Sequence, residues 1–490
     1  MKIVLRGLFI GVSLVFLTGS MTAQIAQNQE SAKSTLISNS VPAVKTASDR
    51  EKELLDRIER LERRLTELER RSENNVTTAQ RSDSVDNPTL PVNAKDTAVP
   101  SIGTQPSSVP AKEVTTASTQ DKPKFLEEGI IPHSIKIPGT ELSLKFSGYV
   151  KTDINQDFDG IGNKSQFSTN TIPVKGTANA DLDGGTNIQA RESRISFEIV
   201  GEPGKRQFRT YVEGDFYGDG NAFRLRHAYG EYGGLLAGQT WTTFMDISAR
   251  PRTLDYEGPD GEVFVRQAMI RWTQPIGKNW KVAVAAELPT VQIATAPTGF
   301  TGSAQGNMPD FTGFVRYEQK RFHLQIAAIA RNLHFDGTGT TANQSTAGWG
   351  LNSTFKVNPF GKDQLMGQFA FGSGISRYIE SMSGQNIDAL FGAGNKLVAL
   401  PSRTGIIGYE RHWTPKLMSA FAYSMADVSY NTGLGGSTIK RTQDGRVNLI
   451  WTPFKLVDLG AEFMWGRRDN QNGSFGDATR LMLSTVYRFN

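Results

Sequence analysis

From about residue 125 to the C-terminus, apolar and polar residues alternate in runs of about ten. Val282, Val284, Ala286 and Leu288 share one face of an extended chain, with Lys281, Ala283, Ala285 and Glu287 on the other. Phe322, Leu324, Ile326 and Ala328 oppose His323, Gln325 and Arg331. Val447, Leu449 and Trp451 oppose Arg446 and Asn448, and Leu481, Leu483 and Tyr487 oppose Arg480 and Ser484. A period of two is the mark of a β-strand with unlike faces. About sixteen such segments run from near Phe146 to the C-terminus.

The links between them alternate in length. Short ones include 201–206, 233–234, 273–279, 358–363, 412–416 and 452–455; longer ones include 155–188, 244–261, 289–310, 374–402 and 468–477. The single exception expected is the short link near Asp219–Asn221 on the long side. Alternating loops and turns predict an all-β fold, a sixteen-stranded antiparallel transmembrane β-barrel over 125–490. A soluble sandwich would explain the alternation. It would not explain Trp272, Trp280, Trp413, Trp451, Trp465 and Tyr487 near segment ends, where a barrel carries aromatic girdles. The last strand, "LMLSTVYRFN", resembles the terminal signal of such barrels, with Asn490 added after the aromatic.

Three segments precede the barrel. Lys2 and Arg6 lead into an apolar run, Leu8 to Leu17, followed by "TGSMTAQ", the plan of a secretory signal peptide over 1–23. The run is too short for a spanning helix, which needs about 20 residues. Within 48–72, Leu54, Ile58, Leu61, Leu65 and Leu68 form a heptad seam, with Arg57 and Arg64 at g and Glu62 and Glu69 at e. That predicts a parallel coiled coil. Residues 73–124, rich in Ser, Thr, Asn, Pro and Val, read as a flexible linker. An even strand count puts both termini on the turn side, so the coiled coil is expected in the periplasm of a Gram-negative cell.

Composition narrows the chemistry. There is no cysteine, so no disulfide or cysteine-ligated metal is possible. Five histidines, His133, His227, His323, His334 and His412, make no metal spacing and no triad for a lipase-type barrel. The net charge of +5 comes from interleaved acids and bases, so nucleic acid is not an expected partner. No cofactor, metal or catalytic residue is expected.

In a barrel, parity becomes energetic. An arginine facing lipid at mid-membrane costs about 2–4 kcal/mol, whereas one facing the lumen stays hydrated. Parity therefore places Arg194, Arg209, Arg224, Arg226 and Arg316 inside. It places Phe223, Leu225, His227 and Tyr229 outside. An outward histidine fits a subunit interface better than lipid. In "VFVRQAMIRW", Arg266 and Arg271 have opposite parity; Arg266 is taken as the inward one. The loop after the fifth strand carries Arg250 and Arg252, then Asp255, Glu257 and Asp260. If it folds inward, these groups are expected to oppose one another across a constriction.

The stretches "FSGYVKTDI", "ARESRISFEI", "FRLRHAYGEYGGLLAGQTWTTF" and "RQAMIRWTQP" resemble the DcaP-type porins of Gram-negative outer membranes. The resemblance covers Phe146 to Asn490 and the coiled coil. It implies a homotrimer in outer-membrane lipid and passive uptake of small anionic solutes such as dicarboxylates. It also implies that Arg194, Arg209, Arg224, Arg226, Arg250 and Arg252 contact anions; Arg266, taken as the inward arginine of its strand, joins them as a pore-lining residue. The second role considered is structural: an anchor joining the barrel to the cell wall through the coiled coil.

Overall fold

The computed structural model describes residues 127–489 other than 178, 181–182 and 430–432. The predicted signal peptide, coiled coil and linker lie outside the described residues. Sixteen antiparallel strands close into a barrel. In chain order they are β1 (Leu142–Asp159), β2 (Asp183–Gln189 and Arg194–Gly201), β3 (Phe208–Asp215), β4 (Arg224–Tyr232), β5 (Leu235–Trp241) and β6 (Arg266–Ile276). Then come β7 (Trp280–Glu287), β8 (Gly302–Gln305 and Asp310–Gln319), β9 (Phe322–Gly337), β10 (Gln344–Val357) and β11 (Gln364–Ser373). The last five are β12 (Pro401–Thr414), β13 (Leu417–Val428), β14 (Ile439–Phe454), β15 (Val457–Asn470) and β16 (Phe475–Phe489).

Each strand pairs with its chain neighbours, and β1 pairs with β16 from Gly148↔Phe489 to Asp157↔Arg480, so no edge is left open. Gly148 is required at this seam. A Cβ there would collide with the Arg194 carbonyl and the Phe489 ring.

Alternation sorts the side chains as expected. Val284, Ile326, Val447, Leu449, Phe463 and Leu483 are exposed on the outer face. Their strand neighbours Ala283, Gln325, Arg446, Asn448, Glu462 and Ser484 are buried inside. Trp272, Trp280, Trp413, Trp451 and Tyr487 are all exposed near the turn end, where an amphipathic ring suits the membrane interface.

Loops L1 (160–182), L3 (242–265), L4 (288–301) and L6 (374–400) are long; L2 (216–223) is short, as expected. L5 (338–343) and L8 (471–474) are short too, against expectation. The reason is strand length: β9 and β10 run for 16 and 14 residues, β15 and β16 for 14 and 15. At about 3.4 Å per residue these hairpins use sequence that would otherwise be loop.

The loops fill one half of the lumen. Phe167 and Ile172 of L1 and Leu254 of L3 pack on Met418, Ile450, Met464, Ala478 and Met482, the inner face of β13–β16. Phe244 and Met245 of L3 and Ile375 and Tyr378 of L6 pack on Ala327, Ile329 and Ala370 of β9–β11.

Candidate functional site: an arginine-bearing wall and an inward loop

L3 is fastened to the inner wall along its course. Its first anchor is Asp246, which caps the turn at Ser248 and accepts from His323 (2.6 Å), Thr354 (2.5 Å) and Arg316 (3.2 Å) on three strands. Burial opposes its ionisation. The His323 hydrogen bond and the Arg316 charge outweigh that and hold Asp246 well below the usual carboxylate range.

Further along, the Arg252 amide donates to Glu410 (2.7 Å) and its guanidinium to Asp458 (2.5 Å). The Leu254 amide donates to Glu462 (2.7 Å), Asp260 to Asp444 (3.0 Å) and Gly261 to Ser424 (2.8 Å), on β15, β14 and β13. Arg446 of β14 is the hub, 2.7 Å from Asp444, 3.0 Å from Asp260 and 3.7 Å from Asp255.

L1 and L6 complete the packing. Phe167 and Thr169 of L1 donate backbone N–H groups to Asp255 and Asp260, both at 2.6 Å, and Ser168 donates its hydroxyl to Glu257 at 2.8 Å. L6 is zipped to L3 by Glu380 N–H to the Glu262 carbonyl (2.9 Å) and Ser381 N–H to the Asp260 carbonyl (3.0 Å). This brings the Glu380 carboxyl onto that of Glu257. Burial pushes Glu380 up to about 7; the Glu257 hydrogen bond offsets part of that, while the Asp260 and Glu262 charges add to it. Burial also raises Glu257 and Asp260 well above the usual range.

The acids of L3 therefore do not oppose Arg250 and Arg252 across open lumen. Asp255, Glu257 and Asp260 are buried and engaged in packing. Arg250 is a staple within L3, 2.8 Å from Glu262 and donating to the Tyr256 and Glu257 carbonyls. Gly258 makes room for it: its φ is +83°, and a Cβ would strike the guanidinium. Between Pro251 and Val263 only Arg252 and Tyr256 are not buried.

The wall β2–β6 is different. Glu198, Arg209, Tyr211, Glu213, Tyr229, Glu231 and Arg271 all keep partial exposure on its inner face. Cross-strand register stacks them in levels: Asp215 opposite Arg224, Tyr211 opposite Tyr229, Arg209 opposite Glu231. Most of the arginines are neutralised locally. Arg209 lies 2.6 Å from Glu198, Arg224 2.8 Å from Asp215, and Arg226 2.8 Å from Glu213.

The expected facing of two residues on this wall is corrected. His227 and Tyr229 point inward, not outward. The β3–β4 register slips between Glu213 and Gly214, so Glu213 faces His227 while Gly214 faces Leu225. The extra residue, Arg226, is a β-bulge, and a bulge inverts the parity of everything beyond it. Phe223 and Leu225, before the bulge, are exposed outside as expected. His227 sits 3.1 Å from the Thr240 hydroxyl and edge-on to Trp241; the Tyr229 ring lies tilted against Tyr211, centroids 5.8 Å apart.

On β6 both arginines reach the inner side. Arg271, which the sequence reading left out, shares its face with buried Gln267 and Met269, opposite the apolar series Ala268, Ile270, Trp272. Arg266 opens the strand at the end of L3, with its guanidinium 4.8 Å from the Trp241 ring and within electrostatic reach of Arg226, Arg224 and Arg194 on the inner wall and of Glu380 in L6.

Three guanidiniums on β2–β6 keep no close carboxylate among the described residues. Arg194 is 3.9 Å from its nearest, Glu213, and Arg266 and Arg271 have none in ion-pair range. Each also has a buried nitrogen without a protein partner. Residues the sequence did not single out as site residues are Tyr149, Tyr211, Tyr256 and Glu380. Among the described residues no cluster of His, Asp and Glu has metal-holding geometry.

Known proteins bear on this arrangement. The family model described as DcaP outer membrane protein matches residues 133–489. The crystal structure of the outer membrane channel DcaP of Acinetobacter baumannii aligns with a TM-score of 0.62 at 21% identity, covering 71% of this chain and 97% of that one. An anion-selective porin from Comamonas acidovorans aligns at 0.47 and 11% identity, covering 71% and 100%, and OprB of Pseudomonas putida at 0.45 and 11%, covering 71% and 94%. No curated protein matches the chain significantly.

Proposed function

The chain belongs to the DcaP outer membrane protein family and is an outer-membrane porin, and on that premise we propose that it gives passive passage to small hydrophilic solutes with a preference for anions. The observation that carries this is the imbalance on β2–β6. Arg194, Arg266 and Arg271 keep uncompensated charge there, while the acids of L3 are buried in packing. Cationic walls raise the local anion concentration and lower the entry barrier. Arg209 and Arg224, part-exposed beside their acids, extend the same wall toward both mouths. Carboxylates, including dicarboxylate-like solutes, suit it because guanidinium forks bind them bidentately. Passage needs no catalytic group.

The test is the reversal potential of the full-length protein in a planar bilayer under a potassium chloride gradient. Anion preference is expected; cation preference overturns the reading. We further infer a homotrimer on the family resemblance, with the heptad seam of 48–72 supporting parallel self-association. His227 faces inward and gives no support to a subunit interface. Light scattering in detergent is expected to give three chains per particle, and deleting 48–72 is expected to leave conductance intact.

A further inference from the structure

We propose that Tyr149, Arg194 and Tyr256 form a carboxylate-binding subsite where L3 meets the β1–β2 wall, with Tyr149 as its neutral hydrogen-bond donor. The proposal rests on the anion-passing reading and names where a solute is held. Tyr149 and Arg194 are direct cross-strand partners on the inner face. Tyr256, a part-exposed aromatic of L3, packs against them. Its ring meets Tyr149 edge-on at 5.8 Å between centroids.

The Arg194 guanidinium forms a triangle with the two rings, 5.6 Å from the Tyr149 centroid and 5.1 Å from that of Tyr256. Cation–π contact leaves its N–H groups available for hydrogen bonding. One is unused: Arg194 Nε is buried with no protein partner, and so is the hydroxyl of its cross-strand partner Tyr149. Buried donors left unpaired cost about 1–3 kcal/mol each, so these two favour any acceptor that enters.

Nearby acids do not fill the role. Glu213 is drawn to Arg226 Nε (2.8 Å) and the Tyr211 hydroxyl (2.7 Å), which leaves it 3.9 Å from Arg194. Lys151, 4.6 Å from the Tyr256 ring, holds Asp153 and Glu192, both at 2.6 Å. A solute carboxylate lying along the Arg194 edge accepts Nε–H with one oxygen and the Tyr149 O–H with the other. Because Tyr149 donates without charge, it discriminates between a carboxylate and chloride, whereas the wall charge attracts both.

The experiment is single-channel recording of the full-length protein in chloride, with succinate added as a blocker. Tyr149→Phe is expected to shorten the succinate block about ten- to hundredfold, the loss of one hydrogen bond to a charged acceptor, with chloride conductance little changed. Arg194→Gln is expected to abolish block. Arg441→Gln, at a guanidinium of β14 paired with Asp427 (2.9 Å), is expected to retain it. Heat-shifted gel mobility confirms that each variant is folded. Equal block in wild type and Tyr149→Phe overturns the subsite, as does equal loss in Arg441→Gln and Arg194→Gln. A wild type without anion preference that still shows Tyr149-dependent block overturns the selectivity reading and supports the subsite.

Discussion

The two halves of the barrel wall obey the same alternation and end differently. On β13–β16 the inner residues are buried: Asp444, Arg446, Asn448, Glu462, Met464, Arg480 and Met482 lie beneath L1 and L3. On β2–β6 the inner residues Arg209, Tyr211, Glu213, Tyr229 and Arg271 keep partial exposure. Inward charge on the first half organises loops; on the second, part of it stays without a protein partner. Arg446 and Arg194 are both inward arginines, yet Arg446 has three acids within 3.7 Å and Arg194 has one, at 3.9 Å. What separates a structural charge from a solute-facing one is whether a loop arrives with acids.

The comparison breaks most visibly at Arg446. Arg446→Met leaves Asp255, Asp260 and Asp444 buried without their cation, and breaking one partner of such a cluster costs about 3–5 kcal/mol. A lowered unfolding temperature and larger, noisier conductance steps are expected. Unchanged values would mean that L3 is held by other contacts.

Next is pH. A carboxyl raised in the fold keeps its proton there while the unfolded chain has lost it, so the contact weakens as pH rises. For Glu380 the window runs from the ordinary value of 4.5 to about 7. Stability of the L3–L6 clasp is full below that window and falls by at most about 1.4 kcal/mol per pH unit across it. Hydrogen exchange of the Glu380 and Ser381 amides is expected to rise relative to wall amides between pH 5 and 8. Glu380→Gln is expected to flatten the profile, and an unaltered profile in that variant would assign the effect elsewhere.

Smaller in energy, but specific to the solute-facing half, is selectivity. Arg194→Gln together with Arg271→Gln is expected to lower the anion-to-cation permeability ratio about two- to threefold, with no loss of thermal stability. Arg250→Gln is expected to do the reverse, lowering stability with little effect on the ratio. The smallest perturbation probes the bulge. Since the chain has no cysteine, Leu225→Cys, His227→Cys and Tyr229→Cys can be tested one at a time with a charged thiol reagent. The second and third are expected to react from the lumen and the first to be protected by lipid; reaction at 225 instead would restore simple alternation.

These regions also show how much the sequence disclosed. Strand existence and facing were legible because lipid on one side and water or packed polar groups on the other enforce period two over many residues, as in Phe322 to Arg331 or Val447 to Trp451. Parity failed at His227 because one inserted residue flips every later side chain, and nothing local in "RLRHAYGEY" marks it. It left out Arg271 because Arg266 and Arg271 were treated as alternatives, although Arg266, at the first position of its strand, is not bound by mid-strand alternation. The inward loop was legible from its length and its place after the fifth strand. The roles of its charges were not, since each depends on a partner far along the chain: Asp246 on His323, Arg252 on Asp458, Asp260 on Arg446.

By itself, then, the sequence determined the strands, their inner and outer faces, the aromatic belt and the alternation of loops with turns. All of these are local consequences of a chain crossing an apolar layer whose backbone groups must pair. The tertiary structure alone decided which inward charges are spent on fastening loops and which stay open, because burial and pairing of a charge are set by whichever distant segment comes to rest against it. Tyr149, Arg194 and Tyr256, 107 positions apart at the extremes, meet only because the barrel closes and L3 folds back across it.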